Sequence, residues 1–592
     1  MEIDSVAHNH HSGDHHHHLS PYSRLNLILK EDRKDLVILV LYTTMAGLMA
    51  LAVPLAAQAL VNTIAAGVFI QPLVVLTTVV FVGLIFSGIL RLLKLHIAEV
   101  LQQRIFARFS LQLANHIVRI KQPALQEEYA PELINRFFDV INVQKSLAKI
   151  LLDGPSALLT ILVGLVLMAF YSPILLAFNF FLIFFVFFVV FILGIGGLRT
   201  SIQESIQKYR VAEWLEELGR CQISFKMNAF PNYLIKRADN LVVNYIKARK
   251  RHFSVIFRQA AGNFLFNAVA SAGILAVGGW LVINRQLTLG QLVASELIII
   301  TVLSSLDKLI KLLEVVYDLL TGIDKIGHVT DLPTERIDGK YISKDKPGAR
   351  VICRNVHFSY IETTPVLSDL NLKIEPGERV SLVGASGVGK STLASLLCGL
   401  NEPMVGTVEI NNIDVRDINL TSLRHMVNLV GDTRDVFDGT IEENIVVGRP
   451  DIGHEDIKWA LDITQLSNDI AQFPKGLKTQ LVSEGRNISR GQVQRLLIAR
   501  AIVDRPQLLI LDEAFTGIDE KTKLKILNEI YSSENGWTII DISHDLEVVM
   551  RSDNVHLMAK GKILESGSPK ELSRDQNTEF IKLFPSLLQP AA

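Results

Sequence analysis

From Leu36 to Leu90 the chain runs without one Asp, Glu, Lys or Arg, and no soluble fold offers so long a charge-free run enough interior to hide in. A helix needs about 20 apolar residues to cross a bilayer, so this run predicts two spans, joined through Asn62, Thr63, Gly67, Gln71 and Pro72. Gly154–Leu198 is charge-free in the same way and predicts two more, broken near Tyr171-Ser172-Pro173. Gln259–Asn284 supplies a fifth. Gln286–Ser305 supplies a sixth, with a single charge, Glu296, at its centre. A mid-bilayer carboxylate is costly unless it faces protein or water. Glu296 therefore either lines a substrate path or pairs within the bundle.

The cations orient the six spans, because Lys and Arg accumulate in cytosolic loops. Arg24, Lys30, Arg33 and Lys34 precede the first span. The turns after spans one and three carry no Lys or Arg, and the turn after span five only Arg285. The long segments after spans two and four are basic, with Arg91, Lys94, Arg104, Arg108 and Arg119 in the first and Lys208, Arg210, Lys236, Arg237, Lys247, Arg249, Lys250 and Arg251 in the second. Both chain ends and both long loops are expected in the cytosol. The loops read as helices that leave the bilayer and return, turning within Pro131–Leu147 and Val211–Phe230. Phe137, Phe138, Trp214 and Phe225 there would either dock on a cytosolic surface or pack on their own helices.

At 592 residues and 49% hydrophobic, the chain is expected to be part membrane, part soluble. Net charge is -1, which gives no global field for nucleic acid. Cys221, Cys353 and Cys398 form neither a metal pattern nor a disulfide framework and read as free thiols in a reducing compartment. The polar N-terminus has no apolar stretch of signal-peptide type. Its His8, His10, His11 and His15 to His18 read as a polar tail or cloning remnant, or as metal-binding imidazoles.

Beyond a polar stretch, Asp331–Gly348, lies a second kind of sequence. The apolar run Glu378–Val383 reads as a buried strand and leads into Gly384-Ala385-Ser386-Gly387-Val388-Gly389-Lys390-Ser391-Thr392. This is a P-loop: glycines let backbone N–H groups close on phosphates, Lys390 meets the β/γ-phosphates, and Ser391 can ligate Mg²⁺. Leu508–Leu511 is a second buried strand, ending in Asp512, placed to hold Mg²⁺ through water, and Glu513, placed to polarise the attacking water. A third strand, Trp537–Ile542, leads to Ser543-His544, where the imidazole can reach the γ-phosphate side.

With these motifs in this order, the chain resembles the exporter half-transporters among ABC transporters: a six-helix α transmembrane domain fused to an α/β P-loop ATP-binding cassette. The implied division is a tail over 1–34, a transmembrane domain over 35–330, a linker over 331–348 and a cassette over 349–592. Ile488–Arg495 resembles the family signature, which implies that Ser489 and Gly491, with Arg490 and Gln492 beside them, face the ATP held by a partner subunit. Tyr360 is similar to the aromatic that stacks on adenine, and Asp519 to the D-loop aspartate. Two positions depart from the family pattern. Asp432 stands where a Gln usually senses Mg²⁺, and Arg490 where the first signature glycine usually stands.

The resemblance implies ATP and Mg²⁺ as cofactors and a homodimer, or a pair with a homologous half-transporter, since one chain carries one P-loop and one signature. It implies a multi-pass protein of a bacterial inner membrane that exports a polypeptide or peptide, with a periplasmic adaptor as a further partner. A lipid or drug exporter, and an ATP-binding membrane regulator that does not pump, are the other readings. An importer is disfavoured by the exporter order of the two halves. With about 35 residues before the first span, leader cleavage by a peptidase domain of this chain is not expected.

Overall fold

The computed structural model describes residues 20–50, 52–65, 70–127, 130–344, 347–361, 363–431, 435–574 and 579–588. The histidines of the N-terminal tail lie outside the described residues. The chain divides into two compact units, one holding residues up to 120 and 127–333, the other 121–126 and 334 onward.

The first unit is helical. An amphipathic α1 (Pro21–Glu31) is capped by Ser20. The first predicted span is α2 (Arg33–Ala50) with α3 (Ala52–Ala65), and the second is α4 (Ile70–Val118). Spans three and four are α5 (Phe137–Tyr171) and α6 (Pro173–Phe187), and Ser172 caps α6 ahead of the proline, as expected at that break. After α6 the fourth span passes through a single π-helical turn, Phe188–Ile192, and a turn at 193–196, and resumes as α7 (Gly197–Arg220). Spans five and six are α8 (Pro231–Ile283) and α9 (Leu289–Thr330), the latter opened by a Thr288/Gln291 capping box. Among the described residues, six helices are long and apolar enough to cross a membrane. The 53 residues of α8 make a rod about 80 Å long, against about 30 Å of hydrocarbon. The excess is the basic cytosolic extension read from the charge pattern.

Side chains such as Val79, Phe81, Phe180, Phe184 and Phe187 point out of this unit, as a bilayer solvent allows. Its interior is apolar, around Met168, Phe266, Ile298 and Val302. A Cβ on Gly164 would lie 2.6 Å from Val302, so glycine is what lets α5 and α9 approach closely.

The first cytosolic turn begins earlier than Pro131–Leu147 and ends inside it, at Arg136. The chain leaves α4 at Val118 and turns through a short helix, Gln122–Glu127. Pro123 cannot continue a helix for want of an N–H. Val140, Val143 and Leu147 already bury one face of α5, so from Phe137 on that segment is the returning helix, while its first residues belong to the short helix Ala130–Asn135. The second turn does fall within Val211–Phe230, at Cys221 and the short helix Gln222–Asn228. Trp214 is only 4% exposed, with the Arg237 guanidinium 4.2 Å over its ring and Phe225 edge-on at 5.8 Å. Phe137 meets Phe106 edge-on at 5.7 Å. These aromatics pack on their own helices, whereas Phe138 stays exposed.

The second unit is α/β. An antiparallel sheet contains β1 (Val351–Ile361), β2 (Thr364–Ile374), β4 (Val405–Ile410) and β5 (Ile413–Asp414), in the order β2-β1-β4-β5. The other sheet contains β3 (Arg379–Val383), β6 (Val427–Val430), β7 (Leu508–Asp512), β8 (Thr538–Ile542), β9 (Asn554–Ala559) and β10 (Lys562–Gly567). Its order is β10-β9-β3-β8-β7-β6, parallel except for β10. Alternate residues of a strand face opposite sides. Leu509, Leu511 and Ile539 pack with Val493, Leu496 and Leu497 of α11 (Arg490–Ile502), and Leu508, Ile510, Ile540 and Ile542 with Leu393 and Leu397 of α10 (Lys390–Leu397). Burial on both sides explains why these strands read as unbroken apolar runs. The three cysteines are free, and burial pushes the Cys353 and Cys398 thiols up to about 12.

Candidate active site

In an open parallel sheet, ligands bind beyond the carboxyl ends of the strands. Three of the sequence motifs meet there because β3, β8 and β7 are neighbours, with Ile542 level with Leu382 on one side and Asp512 on the other. The P-loop follows β3, Asp512 and Glu513 end β7, and Ser543-His544 follow β8.

The P-loop backbone is one only glycine tolerates. Gly384, Gly387 and Gly389 have φ of 146°, 82° and 104°, and a Cβ on Gly384 would lie 2.3 Å from the Met558 carbonyl oxygen. Ala385, Ser386 and Gly387 are exposed at the rim, Val388 is half-buried, and Gly389 stands at the N-terminus of α10. Helix dipole and free N–H groups there favour an anion. Lys390 is buried and folds over the loop, its Nζ donating to the carbonyls of Gly384 (2.8 Å) and Ala385 (3.0 Å). Burial lowers the Lys390 pKa, against the opposing pull of Asp512 and Glu513.

Asp512 is held above the usual carboxylate range by burial, partly offset by a hydrogen bond from the Ser391 hydroxyl. That hydroxyl and carboxylate form a hard-oxygen pair suited to a divalent cation that keeps water and phosphate as its other ligands. Among the described residues no cluster of three His, Cys, Asp or Glu forms a closed protein cage. Glu513 is exposed, with a left-handed φ of 52°. That backbone costs a non-glycine residue about 1–2 kcal/mol, and its N–H donates to the Ile542 carbonyl at 2.9 Å. The clamp to β8 keeps the Glu513 side chain at the site rather than in the sheet. His544 is exposed just past the same strand. The Tyr360 hydroxyl lies 3.2 Å from that of Thr392. Its half-open ring stands edge-on to Phe358 at 4.9 Å, leaving a face beside the P-loop helix for a flat base.

The signature forms the start of α11. Ser489 caps it in a reciprocal box with Gln492, whose Nε2 also donates to Asp469 (2.8 Å). Arg495 donates to the other Asp469 oxygen at 2.9 Å. Burial opposes ionisation of Asp469, but these two donors hold its pKa below the ordinary value. Gln492 is thus a structural brace, and Asp469, which the motif did not point to, anchors the turn. Gly491 lies against the Gly517 carbonyl, with 3.0 Å left for a Cβ, and the Arg490 stem lies over Gly517. Asp519 caps α12 (Glu520–Ile530) by accepting from the Thr522 N–H (3.0 Å). Arg490 itself is exposed and has no hydrogen bond or ion pair among the described residues. Asp432 lies outside the described residues.

In the membrane unit Glu296 is half-buried beside the fully buried Ser295 of α9. No described residue hydrogen-bonds or ion-pairs with it, so the silent pair expected as one alternative is not formed within the described chain.

Residues 36–219 match the family model of the ABC transporter transmembrane region, and residues 367–516 the family model described as ABC transporter. The chain is 32% identical over 340 residues to the toxin RTX-I translocation ATP-binding protein of Actinobacillus pleuropneumoniae, covering 57% of this chain and 48% of that one. It is 33% identical over 311 residues to the fatty acid ABC transporter ATP-binding/permease protein of Mycobacterium bovis, covering 52% and 48%. The chain spans about half the length of the curated relatives it matches. Its fold matches a bacterial Atm1-family ABC exporter solved with ATP bound, with TM-score 0.84 at 21% identity over 96% of this chain and 100% of that one.

Proposed function

We propose that this chain, a bacterial multi-pass membrane protein that belongs to the ABC transporters through both its membrane and its ATP-binding unit, couples ATP hydrolysis to export of a polypeptide. The observation that carries the reading is the convergence of the P-loop, Asp512-Glu513 and His544 on one sheet edge, in a chain that also holds six spans. The P-loop N–H groups and Lys390 bind the triphosphate, and Tyr360 stacks on adenine. Ser391 and Asp512 hold Mg²⁺, which supplies charge neutralisation at the phosphates. Glu513 orients and takes a proton from the attacking water, and His544 holds the γ-phosphate. Asp432 is assigned the Mg²⁺-sensing position.

Ser489, Arg490 and Gly491 belong to the second half of a site whose first half is another chain's P-loop. Two copies therefore make two complete sites, and closure on ATP moves the helices. The proposed divisions are a tail to residue 34, a membrane domain over 35–330, a linker over 331–348 and a cassette from 349. Glu296 is assigned to the transport path, and a periplasmic adaptor is the expected further partner.

Polypeptide as cargo is supported by the relative named for toxin translocation. The relative named for fatty acids favours a second reading, a lipid exporter. The test is Mg²⁺-dependent ATP hydrolysis by the full chain in lipid, beside Glu513→Gln. Hydrolysis should fall at least about 100-fold, the scale of a lost general base, with ATP still bound. Equal rates in parent and variant would reject the site assignment. Absence of hydrolysis in both, with ATP bound, would reject the homodimeric motor. Stimulation by fatty acid and not by polypeptide would select the second reading.

A further inference from the structure

A cleft of about 550 Å³ lies between the cytosolic stretches of α7 and α8. It is lined by Arg199, Gln203 and Gln207 from α7 and by Asn244, Lys247 and Arg251 from α8. The first three recur every four residues and the others at three and four, so each set occupies one helix face. No Asp or Glu lines it.

Several neighbouring cations are occupied: Arg249 pairs with Glu204 at 3.2 Å, Arg258 donates to the carbonyls of Leu193 and Ile195, and Lys208 sits 5.3 Å over the Tyr209 ring. The three cations of the cleft are not. Among the described residues, no hydrogen bond or ion pair engages the side chains of Arg199, Lys247 or Arg251. Like charges gathered around a concavity repel and raise the local concentration of counter-ions. Gln203 and Asn244 line the cleft with exposed side-chain amides, which offer hydrogen bonds to a polar ligand.

Position narrows the counter-ion. Arg199 is the first charge after the run Gly154–Leu198, and Arg251 lies eight residues, about 12 Å of helix, before the run Gln259–Asn284, both on the basic, cytosolic side. The cleft therefore opens at the level of the inner-leaflet headgroups. Directly above it the fourth span is interrupted by the π-helical turn Phe188–Ile192 and a left-handed Gly196 (φ 87°). Irregular backbone at the membrane is tolerated where it is buried or lines a cavity, and π-turns favour functional sites. Basic pockets between spans on the cytosolic side suit anionic headgroups.

We propose that this cleft seats the phosphate and hydroxyl-bearing headgroup of an anionic phospholipid from the cytosolic leaflet. Arg199, Lys247 and Arg251 neutralise the phosphate, and the amides of Gln203 and Asn244 meet a headgroup hydroxyl. The reading is independent of the cargo and of ATP hydrolysis.

The test is equilibrium binding of fluorescent short-chain phosphatidylglycerol, beside the matching phosphatidylcholine, to the purified full chain in neutral detergent. Phosphatidylglycerol should bind saturably and more weakly as salt rises. The triple variant Arg199→Gln, Lys247→Gln, Arg251→Gln should bind it at least about tenfold more weakly, given the typical contribution of each basic residue near an anionic surface. Removing the same charge outside the cleft, at Lys226, Lys236 and Lys250, should change little. If the cleft variant does not purify folded, the single exposed Lys247→Glu replaces it with the same expectation. Equal binding of the two lipids, or equal loss in both triple variants, overturns the site. Full displacement by millimolar inorganic phosphate or glycerol 3-phosphate overturns the lipid in favour of a soluble phosphate.

Discussion

Replacing Asp541 with asparagine tests the electrostatics of the sheet that carries the nucleotide site. Asp541 is fully buried in β8, between the strand of the P-loop and the strand of Asp512. Its Oδ2 accepts from the Tyr531 hydroxyl at 2.8 Å, and its Oδ1 has no partner. Burial raises its pKa from 3.8 to about 7, against the lowering effect of Tyr531. The unfolded chain gives up this proton near pH 3.8 and the folded one near 7. Between those values the unfolded state binds fewer protons, so stability falls as pH rises, by about 4 kcal/mol across the window. Below it the group costs nothing, and above it the whole cost is present. Asparagine still accepts from Tyr531 but carries no titrating proton, so the slope should vanish. The assay is native-state hydrogen exchange of the peptide spanning β8 in the full chain, from pH 4 to 8, corrected for intrinsic exchange. The parent should lose about 1.4 kcal/mol of protection per pH unit relative to Asp541→Asn. Parallel profiles, or protection in the parent that grows with pH, would refute the reasoning.

Gly384→Ala should abolish ATP binding, measured by a fluorescent nucleotide, because the new methyl meets the Met558 carbonyl at a φ that alone costs about 1–3 kcal/mol; unchanged affinity would show the loop can shift. Asp469→Ala should destabilise the ATP-binding unit by about 1–3 kcal/mol, the scale of lost charged hydrogen bonding, read as a lower melting temperature. It should also cut hydrolysis with ATP affinity kept, and a fall in ATP affinity instead would place Asp469 at the chain's own P-loop.

The spans were legible because a bilayer demands length without charge, a requirement composition displays directly. The P-loop and the Asp512-Glu513 strand were legible because phosphate chemistry forces a residue order. Tertiary coincidence was not. Arg199 and Lys247 belong to one cleft only because α7 and α8 pack side by side, and no local pattern joins them. Placing the first cytosolic turn within Pro131–Leu147 took the middle of the loop as its bend, whereas the chain already leaves α4 at Val118, ahead of Pro123, and is the returning helix from Phe137 on. The interruption of the fourth span did leave a trace, Gly194, Gly196 and Gly197 inside an otherwise bulky run. Asp541 left one too, a lone acid in an apolar strand. Asp469 left none, since an acid on a short helix looks like any solvated one.

The π-helical turn in the fourth span is followed by a non-helical turn at 193–196 with a left-handed Gly196, so the helix above and α7 below do not share one continuous hydrogen-bond ladder. The direction in which α7 presents Arg199, Gln203 and Gln207 is therefore set at the break and by packing on α8, and not by the rotational phase of the apolar helix above. The cytosolic half of the span can aim its charge independently of what the membrane half requires.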